Sequence, residues 1–138
     1  MRLLRYIPFL AFPALAYGAV AAMSGANTAT LLAREIFSVS LASGDKVVVS
    51  GGALVVVVAL FCFFAEIVRS AVPSKRALAD NMLSAIVFIP CLVLFLLVQG
   101  FGTVEFFLVT LMMLLDFIAD ASLMVFTSRR TVEFESAR

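Results

Sequence analysis

Four long apolar stretches follow one another along this sequence and constrain its fold more than any other feature. They cover residues 3–26, 47–68, 82–98 and 103–126. A hydrocarbon core of about 30 Å is crossed by roughly 20 helical residues. In lipid each segment must satisfy its own backbone hydrogen bonds, which a helix does. The pattern predicts an all-α membrane protein, a four-helix transmembrane bundle that forms a single domain over 1–138.

Composition also favours lipid over water as the solvent. Hydrophobic residues make up 64% of the chain and charged residues 14%, and the mean hydropathy is +1.16. Soluble domains average about 45–50% apolar and about 25% charged residues. The net charge of +1 provides no basic field for nucleic acid. We therefore expect the lipid bilayer as a partner and no nucleic acid.

The segment between the first two spans, residues 27–45, mixes polar and apolar side chains. Leu32, Ile36 and Val39 recur at helical spacing, and Gly44 can end a helix. This spacing predicts a short interfacial amphipathic helix that lies on the membrane or re-enters it, with an ordered polar loop as the alternative. The second span begins with a valine-rich run that would favour a strand in water, but its length and the lipid environment favour a helix.

Basic residues are distributed unequally between the two ends of the predicted spans. If the spans alternate in direction, one side holds Arg2, Arg5, Arg69, Lys75, Arg76, Arg129, Arg130 and Arg138. The other side holds Arg34 and Lys46. Because basic residues favour the cytoplasmic side, both termini are predicted to be cytoplasmic, including a charged tail at 128–138. The pattern fits a bacterial inner membrane. The first stretch also begins like a signal peptide, but its apolar run is longer than the usual roughly 7–15 residues.

Three acidic residues share one face of the fourth predicted helix. At 100° per residue, Glu105 and Asp116 differ by about 20° around the axis, and Asp116 and Asp120 by about 40°. Asp116 lies near the middle of its span, where an aspartate costs about 2.5–3.5 kcal/mol on insertion scales. This acidic stripe is predicted to be an interaction or ion site, with Asp116 as a neutral acid, an ion ligand or the partner of a group on another chain.

A polar network is predicted at the cytoplasmic end of the bundle. Glu66, Arg69 and Asn81 lie near the level of Asp120, and the spacing of Glu66 and Arg69 suits an ion pair. Three interpretations stay open: a structural clasp that fixes helix register, a docking site for another subunit, and the handling of protons or cations.

Small residues recur every four positions on the first helix, at Ala14, Gly18, Ala22 and Ala26. Such a face lets a neighbouring backbone approach closely, either inside the bundle or from another subunit. The two cysteines, Cys62 and Cys91, lie within apolar runs and are expected to pack there, with a disulfide as the alternative.

The sequence lacks the residues of common catalytic and cofactor sites. Histidine is absent, and no phosphate loop, metal-binding cluster or nucleophile elbow is present. We therefore expect no enzyme activity, no cofactor and no metal. The first functional hypothesis is a non-enzymatic accessory subunit that packs against a larger membrane protein complex or self-associates. The alternatives are a small oligomeric transporter or channel that uses Asp116 and Asp120 for protons or cations, and a membrane-protein assembly factor.

Overall fold

The computed structural model describes residues 8–70 and 77–136, and this part of the chain is mostly helical. The elements are α1 (Ala11–Ser24), a 3₁₀ turn (Gly25–Asn27), α2 (Thr28–Leu32), β1 (Glu35–Ser40), β2 (Lys46–Ser50), α3 (Gly51–Ser70), α4 (Ala77–Leu97) and α5 (Val104–Ser136). Residues 3–7 of the first predicted span lie outside the described residues.

Helices α4 and α5 form an antiparallel hairpin. Near their connection, the rings of Phe95 and Phe107 have centroids 5.7 Å apart. Toward the other end, the Ser84 hydroxyl donates a hydrogen bond to Asp116. Residues late in α4 therefore contact residues early in α5, and residues early in α4 contact residues late in α5. This is expected for two helices joined by a short loop.

Helix α3 packs against α5 in the parallel direction. At its beginning, Gly52 faces the side chain of Glu105, and at its end the Ser70 hydroxyl donates to Asp120. Helix α1 runs antiparallel to α3, since its preceding residue Leu10 contacts Glu66 near the end of α3. The four long helices consequently alternate in direction along the chain.

Two helices in the described part of the chain are long and apolar enough to cross a membrane, Gly51–Ser70 and Val104–Leu123. The apolar part of α4, Asn81–Leu97, is shorter than these two helices, and α1 has 14 residues. By length and composition alone, this pair of helices is compatible with a membrane protein, and a core helix of a soluble protein meets the same criterion.

The segment that precedes α3 differs from its prediction. The amphipathic helix expected between the first two spans is wrong: α2 has five residues and is followed by the antiparallel hairpin of β1 and β2. The predicted second span is also corrected at its beginning, because residues 47–49 belong to β2 and the helix begins at Gly51. The backbone of residues 35–50 thus makes its hydrogen bonds across the strand pair rather than along a helix.

The end of the chain also differs from its prediction. Residues 128–136 of the predicted tail continue α5, which has 33 residues and is about 50 Å long. Cys62 and Cys91 are both free, so the disulfide alternative is not realised.

An aromatic cluster joins α1 to the beginning of α5. Tyr17 is fully buried, and its ring centroid lies 5.7 Å from that of Phe101 and 4.7 Å from that of Phe106. The Tyr17 hydroxyl donates to the Gly100 carbonyl at 2.8 Å and lies 2.7 Å from the hydroxyl oxygen of Thr103. These contacts fix α1 against the connection between α4 and α5.

Candidate functional site

Glu66 is the centre of a polar cluster at the end of α3. Its side chain is 1% exposed, and one carboxylate oxygen accepts the backbone N–H of Leu10 at 3.2 Å. That N–H precedes the first turn of α1, where backbone donors have no partner within the helix. The other oxygen accepts a hydrogen bond from Arg69 at 3.1 Å. Glu66 therefore ties α1 to α3.

Arg69 forms the ion pair with Glu66 and also covers an aromatic ring. Its guanidinium carbon lies 5.1 Å from the ring centroid of Phe9, within the range of a cation–π contact. The Arg69 side chain is 31% exposed, whereas that of Glu66 is buried. The cation thus lies at the edge of the cluster and its acidic partner inside it.

Asp116 is buried like Glu66 and is incompletely paired. It is 2% exposed, and its Oδ2 accepts a hydrogen bond from Ser84 at 3.1 Å. Its Oδ1 is buried without a hydrogen-bond partner, as is the Oδ1 of Asn81, one turn before Ser84 on α4. A buried acceptor without a donor costs about 1–3 kcal/mol, so such atoms in a native protein call for an explanation.

Asp120 completes the cluster one turn farther along α5. It is 8% exposed and accepts a hydrogen bond from the Ser70 hydroxyl at 2.7 Å. Glu66, Asp116 and Asp120 lie within electrostatic range of one another. In the described part of the chain, Arg69 is the basic group that acts on Glu66 and Asp116. Three buried carboxylates facing one guanidinium would carry excess negative charge, which a bound proton would relieve.

The acidic stripe predicted from the sequence is divided between two places. Asp116 and Asp120 lie near Glu66 and Arg69 at one end of the bundle, and Asn81 lies one turn before Ser84, which donates to Asp116. Glu105 lies 11 residues before Asp116, about 16 Å away along α5, where its side chain fills the space beside Gly52. Glu105 is half-buried and does not belong to the cluster.

The predicted small-residue face of α1 contributes little to packing inside the chain. Ala14 is buried, but Gly18 is half-buried with open space where a Cβ would stand, and Ala22 and Ala26 are exposed. The buried side of α1 passes instead through Ala14, Tyr17 and Ala21. Residues 8–70 and 77–136 therefore leave Gly18, Ala22 and Ala26 largely uncovered.

Sequence reasoning missed two hydroxyl groups of the cluster and one backbone donor. Ser84 follows Asn81 by three residues and so lies on the same side of α4, a spacing that could have drawn attention to it. Ser70 lies directly after Arg69 at the level of Asp120. The Leu10 N–H carried no signal in the sequence, because its role depends on how α1 packs.

The cluster does not have the form of a metal site. No group of three or more His, Cys, Asp or Glu side chains in the described residues converges closely enough to hold a metal ion. The arrangement defines a helical protein with a buried acidic cluster that joins α1, α3, α4 and α5 at one end. No protein family, no curated protein and no solved structure matches this chain.

Proposed function

We propose that this chain is a four-span integral membrane protein that takes up and releases a proton at Asp116. The observation that carries the proposal is the buried Oδ1 of Asp116, which has no donor although Glu66 and Asp120 are close. A proton on this oxygen removes one negative charge and makes the oxygen a hydroxyl that can donate to an acceptor. An ionisable group inside a membrane span is by default a candidate for such a role.

The alternating helix directions support the four-span arrangement. The apolar part of α4, Asn81–Leu97, has 17 residues and a length of about 26 Å, at the lower end of what crosses a hydrocarbon core of about 30 Å. Because the helices alternate in direction, the acidic cluster lies at the same end of the bundle as Arg69. We assign this end to the cytoplasmic side of a bacterial inner membrane. Both termini are then cytoplasmic.

A proton pathway through so small a chain requires more than one copy. The open face formed by Gly18, Ala22 and Ala26 suits close helix contact with a second copy. We therefore propose a small oligomeric membrane protein of the transporter or channel class, without enzyme activity and without a cofactor.

Proton flux into proteoliposomes tests this function. The purified protein is reconstituted with a pH-sensitive dye inside, and an inward proton gradient is applied with the membrane potential clamped. We expect the parent protein to acidify the interior and Asp116→Asn to lose this flux. Glu105→Gln is the matched control, because it neutralises a carboxylate on the same helix outside the cluster, and it should retain the flux. Equal flux in the parent and Asp116→Asn, or none above that of empty vesicles, would refute the proposal.

The accessory-subunit hypothesis is the second candidate, and the exposed face of α1 favours it. In this case the partner would be a different membrane protein, and the acidic cluster would act only as a structural clasp. Native mass spectrometry after gentle solubilisation separates the two candidates. A stoichiometric complex with another chain supports the accessory subunit, whereas a homo-oligomer supports the first proposal.

A further inference from the structure

The hairpin of β1 and β2 separates its side chains into an apolar face and a mostly polar face. Directly opposed residues of an antiparallel pair share a face. Phe37 is paired with Val49, and Val39 with Val47. These four residues form the apolar face. The opposite face carries Ser38, Ser40 and Lys46 together with Val48, and Ile36 lies at the irregularity in the register between Glu35 and Phe37.

The apolar face is not covered within the described chain. Phe37, Val39 and Val47 are each close to half exposed, at 46–49%. An isolated two-stranded hairpin is marginally stable in water at best, and a hydrophobic face needs a surface to pack against. The hairpin therefore requires a cover that lies outside this part of the chain.

Chain connectivity places the hairpin at one end of a membrane-spanning helix. Strand β2 ends at Ser50 and α3 begins at Gly51, with no residue between them. The Gly51 N–H also donates to the Arg34 carbonyl at 3.3 Å, so both ends of the hairpin meet at the beginning of α3. The 20 residues of α3 are about 30 Å long and match the hydrocarbon core. The hairpin thus begins at the level of the lipid headgroups.

The charges of the hairpin identify the kind of surface it fits. Arg34 and Lys46 are balanced by Glu35 and Asp45, so this segment has no net charge. It gains little from anionic headgroups or from a charged protein surface. What remains is apolar area, which acyl chains can cover while Lys46 and the outer strand edges stay hydrated.

We propose that the hairpin lies flat in the bilayer interface, with its apolar face against the acyl chains and its polar face toward water. The proposal depends on the membrane placement of α3 in the proposed function, but not on proton transfer at Asp116. Because the hairpin is neutral, its insertion does not require anionic lipid.

Single tryptophan variants can test this placement directly, since the chain has no tryptophan. Phe37→Trp and Val39→Trp report on the apolar face, and Ser40→Trp is the matched control on the polar face. Phe61→Trp, at an exposed position of α3, reports on the membrane placement of that helix. Each variant is reconstituted in phosphatidylcholine nanodiscs, and its fluorescence is quenched either by brominated acyl chains or by aqueous iodide.

We expect bromolipid quenching and blue-shifted emission at residues 37 and 39, and iodide quenching at residue 40. Added phosphatidylglycerol should leave this pattern unchanged. Iodide quenching at all three hairpin positions would overturn the proposal, because the hairpin would then project into water. Protection of residues 37 and 39 from both quenchers would also overturn it, since a protein would then cover the face. Absence of bromolipid quenching at residue 61 would instead refute the membrane placement of α3.

Discussion

The hydrogen-bond chain at Tyr17 predicts a measurable loss of stability when one oxygen atom is removed. The Phe106 N–H donates to the Thr103 hydroxyl oxygen at 3.3 Å, and the Tyr17 hydroxyl donates to the Gly100 carbonyl. With those donors assigned, the Thr103 hydroxyl donates to Tyr17. Tyr17→Phe keeps the ring contacts but removes two hydrogen bonds, those to Gly100 and from Thr103.

The size of the loss in stability follows from the two groups that Tyr17→Phe leaves without their partner, the Gly100 carbonyl and the Thr103 hydroxyl. A typical internal hydrogen bond contributes about 0.5–1.5 kcal/mol, and a buried partner left unpaired costs about 1–3 kcal/mol. Tyr17 is fully buried and its partners Gly100 and Thr103 are partly buried, so water replaces the lost hydroxyl only in part. We expect Tyr17→Phe to lower the free energy of unfolding by about 2 kcal/mol. Tyr17→Ala also loses the aromatic contacts, and its cost should rise to about 3–5 kcal/mol.

The assay is reversible unfolding in mixed micelles, with helicity followed by circular dichroism as sodium dodecyl sulfate is added. Thr103→Val provides the partner for a double-mutant cycle, because it removes the same hydrogen bond from the other side. The cycle should give a coupling energy of about 1 kcal/mol. A stability of Tyr17→Phe within about 0.5 kcal/mol of the parent, together with no coupling, would refute the assigned hydrogen-bond chain.

Two further substitutions test the contacts at opposite ends of the bundle. Gly100 has a φ of +90°, and a Cβ there would lie 2.6 Å from the Gly25 carbonyl oxygen, so Gly100→Ala should cost at least about 1–2 kcal/mol in the same titration. If Gly100→Ala is as stable as the parent, the connection between α4 and α5 accommodates the added Cβ and this prediction is wrong. Arg69→Gln leaves the buried Glu66 carboxylate without its cation and should lower the free energy of unfolding by about 2 kcal/mol. Breaking a fully buried ion pair costs about 3–5 kcal/mol, and the loss is smaller here because Arg69 is partly exposed. Adding Glu66→Gln should recover most of this loss, and a double variant no more stable than Arg69→Gln would contradict the assignment.

The sequence predicted the long helices because their apolar length is a property of each segment alone. The third and fourth predicted spans begin and end close to α4 and the apolar part of α5. The angular positions of Asp116 and Asp120 followed from helix geometry in the same way. Their burial against Glu66 and Ser84 depends on how three helices pack, which no single segment determines.

The hairpin was missed because two periodicities compete in one short segment. Leu32, Ile36 and Val39 suggest a helix, whereas the alternation from Ser38 through Leu41 has the period of a strand. The valine-rich run was assigned to a helix because an unpaired strand is unfavourable in lipid. That argument fails here because β1 lies beside the run and pairs with it.

The direct junction between β2 and α3 links the orientation of the hairpin to that of the helix. Because no loop separates the two elements, the direction in which β2 ends sets the direction in which α3 begins. Glu66 lies 15 residues beyond Gly51, about 22 Å away along α3. The place of the Glu66 carboxylate beside the Leu10 N–H therefore depends on how the hairpin is oriented at the other end of the same helix.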